Sequence, residues 1–317
     1  MTTRRPSEKE TIVILAEPSD ETARVIQRAV TGRNHEAWLI SPKELDQASI
    51  EWDFRSSQAL VQSRILGRET PAHKVTAILL RAAWLGGDAP GDAGAPDEIY
   101  GAVERNATFT ALFASANCCV INRPPTLRCV QAVYRAPNLT YGPKPAAIPL
   151  QDWILTSDLS DASEFLDAHP LGVLALDDDG VMHELDNGSL RESLTTAGNG
   201  PVLLFARMAA RSLRVYVVGP DVCSEGCSAY WDPVRPQYLR NSDQYVACSL
   251  PTSVAKDCVA QARTLGAEFC VFQLAQLADV EVRLCSVRWF PDFEQSDPSV
   301  VRTVVDAVAD RLLGCPS

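Results

Sequence analysis

The feature that most constrains the fold is an alternation of strand and helix patterns near the start of the chain. It is carried by TIVILAE (11–17), SDETARVIQRAV (19–30) and EAWLISP (36–42). The outer two segments are short apolar runs typical of buried strands, and the middle one has a helical pattern with Ser19 as the expected N-cap. A strand–helix–strand order predicts a parallel sheet with helices on its faces. The chain therefore begins with an α/β domain.

The length of the chain predicts more than one lobe. A chain of 317 residues exceeds what a single hydrophobic core usually serves. The pattern changes around Pro124 and Pro125, which divides the chain into an α/β domain (1–124), a small α+β lobe (125–200) and a C-terminal lobe (201–317). Residues 126–136 are expected to form a short amphipathic helix at the start of the small lobe.

The C-terminal lobe contains two apolar segments, EFCVFQLAQL (268–277) and RLCSVRWFP (283–291). Continuous apolar runs separated by a polar turn predict neighbouring strands of a buried sheet. The inward polar positions of these strands are Gln273, Ser286 and Arg288. Such a strand pair commonly carries metal-binding carboxylates, and here no carboxylate stands at the inward positions.

Charge and composition exclude several classes of function. A net charge of −11 opposes non-specific binding to nucleic acid or to an anionic membrane surface. The N-terminal apolar run is too short for a signal peptide or a membrane span, so we expect a cytoplasmic protein. The ten cysteines are scattered apart from the adjacent Cys118 and Cys119, and only Cys223 and Cys227 have a CxxxC spacing. We therefore expect mostly reduced thiols, and no metal site.

The order of the segments resembles the ATP-grasp ligases, especially the carboxylate–amine ligases that close rings in microviridin-type peptides. The segments that carry the resemblance are ERNATFTALFASANCCVINRP (104–124), DWILTSDLSDASEFLDAHPLGVLAL (152–176), PVLLFARMAARSLRVYVVG (201–219), FCVFQL (269–274) and RLCSVRWFP (283–291). The resemblance implies an ATP-grasp fold whose C-terminal lobe is built on an antiparallel sheet. It also implies ATP, magnesium and an acyl phosphate that an amine attacks.

Several positions depart from the family pattern. The resemblance places the phosphate-binding lysine near Leu174, and it places the hinge glutamate near Ala206, with backbone groups of Arg207 and Met208 able to meet an adenine edge. In the two metal-ligand strands, Gln273, Ser286 and Arg288 stand where acids and an asparagine are expected. We therefore expect that magnesium and ATP are not cofactors.

Arginines are the charged groups that remain at positions resembling the family's site. Arg214 resembles an arginine that binds an acyl phosphate or a substrate carboxylate, and Arg240 and Arg81 resemble further substrate-side positions. Arg288 carries a permanent positive charge, so it would repel magnesium and would suit a bound anion. The resemblance thus implies a small molecule or peptide that carries a carboxylate. The alternative for each arginine is a surface salt bridge. The sequence leaves open a partner protein and a homo-oligomer.

Three hypotheses follow. The first is a degenerate ATP-grasp protein that has lost ligation and acts as a binding or partner protein, or as a repurposed enzyme, in a peptide or amino-acid modification pathway. The second is an active ligase with displaced metal ligands, such as Asp279, Glu281 or Asp292. The third is a thiol-dependent enzyme that uses a cleft cysteine such as Cys285.

Overall fold

The computed structural model describes residues 11–46, 49–53, 58–62, 75–82, 84–85, 96–116, 118–124, 133–135, 148–176, 182–185, 201–208, 210–230, 245–277, 281–293 and 295–314. These residues contain a parallel four-stranded sheet, an antiparallel four-stranded sheet, an antiparallel six-stranded sheet and a two-stranded ribbon. The expected fold class, an α/β start followed by antiparallel lobes, is confirmed.

The N-terminal part forms the parallel sheet. Its elements are β1 (Thr11–Leu15), α1 (Glu21–Gly32), β2 (Glu36–Ile40), α2 (Pro42–Asp46), β3 (Ser49–Asp53), β4 (Gln58–Gln62), β5 (Val75–Leu80), α3 (Pro96–Ser115) and β6 (Cys119–Ile121). The strand order is β2-β1-β5-β6, and every neighbouring pair is parallel. The strand–helix–strand pattern therefore predicted this sheet correctly.

The N-cap of α1 is Asp20, so the expectation that Ser19 caps the helix was wrong. The backbone N–H of Ala23 donates to Asp20 Oδ1 at 2.9 Å, and Asp20 has extended backbone angles. A carboxylate serves here because it accepts a free amide hydrogen and also carries a negative charge at the positive end of the helix dipole.

The middle of the chain contributes a second sheet. The elements of this part of the chain are β7 (Val133–Arg135), which belongs to the six-stranded sheet, and β8 (Trp153–Thr156), α4 (Leu159–Ala168), β9 (Val173–Leu176), β10 (Met182–Leu185) and β11 (Val202–Ala206). The antiparallel sheet has the order β10-β9-β11-β8. We call β8 to β11 together with α4 the small lobe. Helix α4 packs on one face of this sheet, where Ala162 contacts a cluster that includes Ile154 and Leu204.

The expected amphipathic helix over residues 126–136 was wrong where the structure describes it. Val133–Arg135 is a strand that pairs antiparallel with the last strand of the six-stranded sheet. The helical apolar spacing is overridden here by pairing at the edge of the sheet. The Val and Tyr of this strand also favour strand structure.

The C-terminal part forms most of the six-stranded sheet. Its elements are β12 (Arg211–Val218), β13 (Asp221–Tyr230), β14 (Val246–Ala247), α5 (Thr252–Leu265), β15 (Phe269–Gln276), β16 (Val282–Arg288) and α6 (Pro298–Leu313). The order is β14-β13-β12-β15-β16-β7. The predicted pairing of the two apolar strands is confirmed, because β15 and β16 are antiparallel neighbours.

The two faces of the six-stranded sheet are covered differently. One face packs on α5 through an apolar cluster that includes Val215, Phe272 and Cys258. The other face packs at one end against α6 and the N-terminal domain, in a cluster that includes Tyr216, Phe269 and Val304. The same face also carries the polar side chains described below.

Within the part of the chain that the structure describes, no helix combines the length and the apolar character that crossing a membrane requires.

Candidate functional site

A row of polar residues crosses the second face of the six-stranded sheet. Arg214 on β12 is the direct register partner of Glu225 on β13 and of Gln273 on β15. Gln273 is in turn opposite Ser286 on β16, and Ser286 is opposite Arg135 on β7. Directly opposed residues of an antiparallel pair lie on the same face, so these positions form one line. We call Glu225, Arg214, Gln273 and Ser286 the polar row.

Gln273 is held by two neutral hydroxyl groups. Its Nε2 donates to Ser212 Oγ at 2.5 Å and lies 3.5 Å from Tyr245 Oη. The Ser212 and Tyr245 hydroxyls are hydrogen-bonded to each other at 2.9 Å, and both residues are buried. The centre of the row is therefore a neutral network, in which the Gln273 amide is fixed because its nitrogen donates to the Ser212 hydroxyl oxygen.

Glu225 is a fully buried carboxylate at one end of the row. Its Oε1 accepts from Ser296 Oγ at 2.9 Å and from Tyr216 Oη at 3.2 Å, and its Oε2 accepts from the Asp297 N–H at 3.0 Å. Burial raises the pKa of Glu225 above its ordinary value, although these hydrogen bonds and Arg214 oppose the shift. The carboxylate is thus anchored from several sides.

Arg214 lies between this carboxylate and an aromatic ring. Its Nη1 is 3.7 Å from Glu225 Oε1, and its guanidinium carbon lies 4.0 Å from the centroid of the Tyr245 ring. The side chain is 12% exposed. A cation stacked on an aromatic face in a partly desolvated position is well placed to meet an anion that enters the row.

Sequence reasoning identified Arg214 and Gln273 but missed Glu225. The segment DVCSEGCSAY (221–230) has small and polar residues at most positions, and its two cysteines drew attention to metal spacing instead. One signal was present. Glu225 stands between the small residues Ser224 and Gly226, a pattern that is unusual for an exposed turn.

The small lobe meets the six-stranded sheet through an apolar contact. Leu174 on β9 and Phe205 on β11 form one buried cluster with Ala275 on β15 and Cys285 on β16. Met208 packs against the same cluster. The space between the two sheets is therefore filled by side chains at this level.

Backbone groups at the end of β11 are already hydrogen-bonded within the chain. Gln151 Nε2 donates to the Ala206 carbonyl at 2.6 Å, and the Arg207 N–H donates to the Gly172 carbonyl at 2.9 Å. A ligand edge that used these two groups would have to displace internal hydrogen bonds.

Comparison with known proteins identifies the architecture. No protein-family model and no curated protein matches the chain. Among solved structures, the macrocyclase MdnC from Microcystis aeruginosa, bound with precursor peptide MdnA, superimposes with a TM-score of 0.73 at 13% identity, over 96% of this chain and 99% of that one. The ATP-grasp ligase PsnB, complexed with a minimal precursor, gives 0.71 at 17% identity, over 96% and 99%.

A RimK domain protein from Sphaerobacter thermophilus, also an ATP-grasp protein, gives a TM-score of 0.57 at 18% identity over 96% of this chain and 100% of that one. The chain has the ATP-grasp fold. At this level of identity the likeness establishes the fold alone.

The residues of the polar row do not fit magnesium, which the ATP-grasp fold implies. Magnesium prefers anionic oxygen ligands in octahedral geometry. Two positions of the row hold a neutral amide and a hydroxyl, and the amide nitrogen of Gln273 is directed at Ser212. Among the residues that the structure describes, no group of three or more His, Cys, Asp and Glu side chains could hold a metal ion.

The candidate replacement acids lie beside arginines. Asp292 is 3.5 Å from Arg288 Nη1, and Glu281 is 3.4 Å from Arg283 Nη2. Arg288 is 39% exposed, and its register partner is Val271 rather than a polar residue. Asp279 lies outside the described residues, so its place relative to the row stays a prediction.

The small lobe does not fit a polyphosphate. Leu174, at the expected lysine position, is completely buried in the apolar cluster. Between Lys144 and Arg207 the sequence has eleven Asp and Glu residues and only Arg191 as a lysine or arginine. An excess of negative charge of this size in one segment opposes the binding of an anion to that segment.

Cys285 does not have the surroundings of a nucleophile. It is buried beneath the small lobe, and burial raises the pKa of its thiol far above the ordinary value. A thiol in this state is not a thiolate at neutral pH, and the thiolate is the reactive form. Cys119 is disulfide-bonded. The free thiols of the described residues are Cys118, Cys223, Cys248, Cys258, Cys270 and Cys285.

Arg81 lies outside the polar row. Its Nε donates to Asp20 Oδ2 at 2.8 Å, and its Nη2 donates to the Pro291 carbonyl at 2.9 Å. Its guanidinium also lies near the ring of Phe269, which precedes Gln273 by four residues on β15. The arginine thus joins the N-terminal sheet to the C-terminal lobe. Arg240, the other predicted substrate-side arginine, lies outside the described residues.

Proposed function

We propose that the chain is a peptide-binding protein with the ATP-grasp fold that does not carry out magnesium- and ATP-dependent ligation. It would act as a binding or partner protein in the modification of a peptide. The composition of the polar row carries the proposal, since Gln273 and Ser286 are neutral and Gln273 is fixed by Ser212 and Tyr245. Such a row has no anionic oxygens in its centre to neutralise a cation.

The row is suited to a carboxylate of the bound peptide. Arg214 presents a charged donor group beside the hydroxyls of Ser212 and Tyr245, and charge-assisted hydrogen bonds to a carboxylate are the strong ones. Arg288 and Arg240 are proposed as further contacts to the same anionic segment. Arg81 is proposed to act from the N-terminal side, through the interface that it forms.

The solved relatives favour a peptide as the ligand. PsnB and MdnC were each solved with a precursor peptide, and both match this chain over nearly its whole length. A protein that keeps this architecture without the phosphate-binding side chains is expected to keep the peptide surface more readily than the nucleotide site.

A second candidate is an active ligase, and Glu225 is the observation that favours it. A buried carboxylate in the row could in principle serve a cation, and PsnB was solved with magnesium and ADP. Its oxygens, however, accept hydrogen bonds from Ser296, Tyr216 and the Asp297 N–H. Calorimetric titration with ATP, in the presence and absence of magnesium, distinguishes the two candidates.

A further inference from the structure

A buried acid faces the arginine to which we assign the acidic ligand. Glu225 on β13 is completely buried, and the side chain of Arg214 on β12 is 12% exposed. Nη1 of Arg214 lies 3.7 Å from Oε1 of Glu225 and 3.5 Å from Oγ of Ser296. Because both charged groups are largely shielded from solvent, a change in the charge of Glu225 acts on the guanidinium with little screening.

The hydrogen-bond partners of Glu225 suit both protonation states of its carboxyl group. Ser296 Oγ and Tyr216 Oη contact Oε1, at 2.9 and 3.2 Å, and the Asp297 N–H donates to Oε2 at 3.0 Å. A hydroxyl group can rotate so that it accepts a hydrogen bond, whereas an N–H can only donate. A proton on Oε1 therefore finds an acceptor while Oε2 keeps its donor, and the carboxyl can gain or lose a proton in place.

Three titratable groups packed against Glu225 keep a constant charge near neutral pH. Burial raises the pKa of Tyr216 and the pKa of the Cys223 thiol, so both groups stay protonated. A hydrogen bond from the Ser299 side chain lowers the pKa of Asp297, so this carboxylate stays ionised. Glu225 is thus the member of this group whose charge can change.

Two further side chains lie on the side of Arg214. The Tyr245 ring stacks on its guanidinium at 4.0 Å, and the Asp292 carboxylate is 3.5 Å from Nη1 of Arg288. On the other side of β13, the register partner of Glu225 on β14 is Ala247, which carries no charge. Asp292 is therefore the second acid whose charge could act on the ligand contact, and the test below includes it.

We propose that Glu225 competes with the acidic ligand for Arg214, so that the polar row binds the ligand tightly when Glu225 is protonated and weakly when Glu225 is ionised. An ionised Glu225 partly neutralises the guanidinium and repels an incoming anion, whereas a neutral Glu225 leaves the positive charge to the ligand. The inference rests on the proposed function and adds a means of regulating the same site.

The direction of the pH dependence follows from the burial of Glu225. Burial raises the pKa of this carboxyl above its ordinary value of 4.5. Affinity for the acidic ligand should be highest below the raised value, and it should fall as pH rises through that value. Coupling is reciprocal, so the bound anion must raise the pKa of Glu225 further. Binding within this pH range should therefore take up a fraction of a proton.

The test is calorimetric titration of the full chain with a decapeptide in which Asp alternates with Ser. The measurements run from about pH 5.5 to about pH 8, where the peptide stays ionised because the ordinary pKa of Asp is about 3.9. The affinity of the wild type is expected to fall at least about fivefold over this range, the lower end of usual coupling between sites. Titrations in buffers of different ionisation enthalpy measure the proton uptake.

Glu225→Gln is the decisive variant. It should keep the high affinity of the low-pH state at every pH, and binding should no longer take up a proton. The glutamine fits the same surroundings, because its oxygen can accept from the Asp297 N–H while its nitrogen donates to the hydroxyls of Ser296 and Tyr216. Thermal unfolding shows whether the variant is folded.

Three other variants separate this role from a general effect of charge. Asp292→Asn makes the same change in charge near Arg214 and should retain the pH dependence. Glu268→Gln, at a surface acid that pairs with Arg311, should change neither the affinity nor its pH dependence. Ser296→Ala removes a donor that stabilises the ionised carboxylate, so it should move the pH dependence to higher pH.

The inference would be overturned by a wild-type affinity that stays constant or rises with pH, or by a pH dependence that persists in folded Glu225→Gln. In both cases the acidic peptide still binds, so the proposed function stands. A peptide that binds at no pH would contradict the carboxylate site of the proposed function and the inference together. Magnesium-dependent binding of ATP would contradict the proposed function whatever the pH dependence.

Discussion

Arg214 and Glu225 are direct register partners on adjacent strands, yet their closest charged atoms are 3.7 Å apart. The carboxylate accepts shorter hydrogen bonds from Ser296 and from the backbone of Asp297, while the guanidinium is stacked on Tyr245. The arginine is therefore not held in a tight ion pair with this carboxylate. Arg214 Nη1 also lies 3.5 Å from Ser296 Oγ, so the acidic ligand that we propose would bind beside these internal contacts.

Replacing Arg214 with alanine is expected to weaken binding of an acidic peptide by about 1.5–3 kcal/mol, the usual effect of losing a charge-assisted hydrogen bond. Calorimetric titration with a synthetic peptide rich in Asp measures the change. Arg311→Ala is the matched control, because Arg311 is an exposed arginine on α6 that pairs with Glu268. Equal affinities of the Arg214→Ala variant and the wild type would show that Arg214 is structural.

Glu225 should give the protein a component of stability that falls as pH rises. Because burial raises the folded-state pKa of this carboxyl, the folded protein retains a proton that the unfolded chain has already released. The free energy of unfolding then decreases from about pH 4.5, the ordinary value for this group, up to the raised folded-state pKa.

Glu225→Gln removes this component, so the pH dependence of the variant should lack it. Urea unfolding of both proteins between pH 4 and pH 8 gives the comparison, and the difference between their free energies isolates Glu225 from the other acids. A wild type that gains stability relative to Glu225→Gln as pH rises through this window would contradict the raised pKa.

Gln273→Ala and Ser286→Ala should each leave peptide affinity unchanged, because neither residue is proposed to carry charge for the ligand. Gln273→Ala is expected to lower the free energy of unfolding by about 1 kcal/mol through loss of its bond to Ser212. Calorimetry and urea unfolding provide the two measurements. Loss of a magnesium-dependent turnover in either variant would instead support an active ligase.

The sequence predicted the strands whose apolar pattern is strong, and it failed where neighbours decide the structure. β1 and β15 are mostly apolar and mostly buried, so their pattern is unambiguous. Strand β13 has the sequence DVCSEGCSAY, which has little strand propensity, and its position between β12 and β14 fixes it.

The same distinction applies to the candidate site. Arg214 was singled out by the family resemblance, and Gln273 was identified as an inward polar position of a strand that the apolar pattern placed correctly. Glu225 was missed because its strand was missed, and the partners of Arg214 depend on register across three strands, which no local pattern encodes. The ion pair of Arg81 with Asp20 joins residues 61 positions apart, so a strand-end arginine in the sequence could be assigned to a ligand as readily as to this pair.

Arg81→Ala should destabilise the protein by about 3–5 kcal/mol, because it leaves Asp20 without its buried partner. Asp20→Asn, which keeps a side-chain oxygen for the helix cap, should cost less than Asp20→Ala. A double-mutant cycle on urea unfolding measures the coupling between the two residues. Additive effects of the two alanine substitutions would show that the pair contributes nothing beyond its separate contacts.

Cys285 is expected to resist alkylation in the native protein. Its thiol is buried and its pKa is raised, so iodoacetamide should react with it only after unfolding, and later than with the half-buried Cys248. Mass spectrometry of peptides after timed labelling measures both rates. Rapid labelling of Cys285 in the folded protein, accompanied by loss of function, would support a thiol-dependent enzyme.

The most direct measurement of the central claim is calorimetric titration of the purified protein with ATP, with and without magnesium. The neutral centre of the polar row, the buried Leu174 and the acidic small lobe together predict no binding heat in either condition. Micromolar binding that requires magnesium would contradict the account. It would favour the active ligase, with the metal held by Glu225 or by acids outside the polar row.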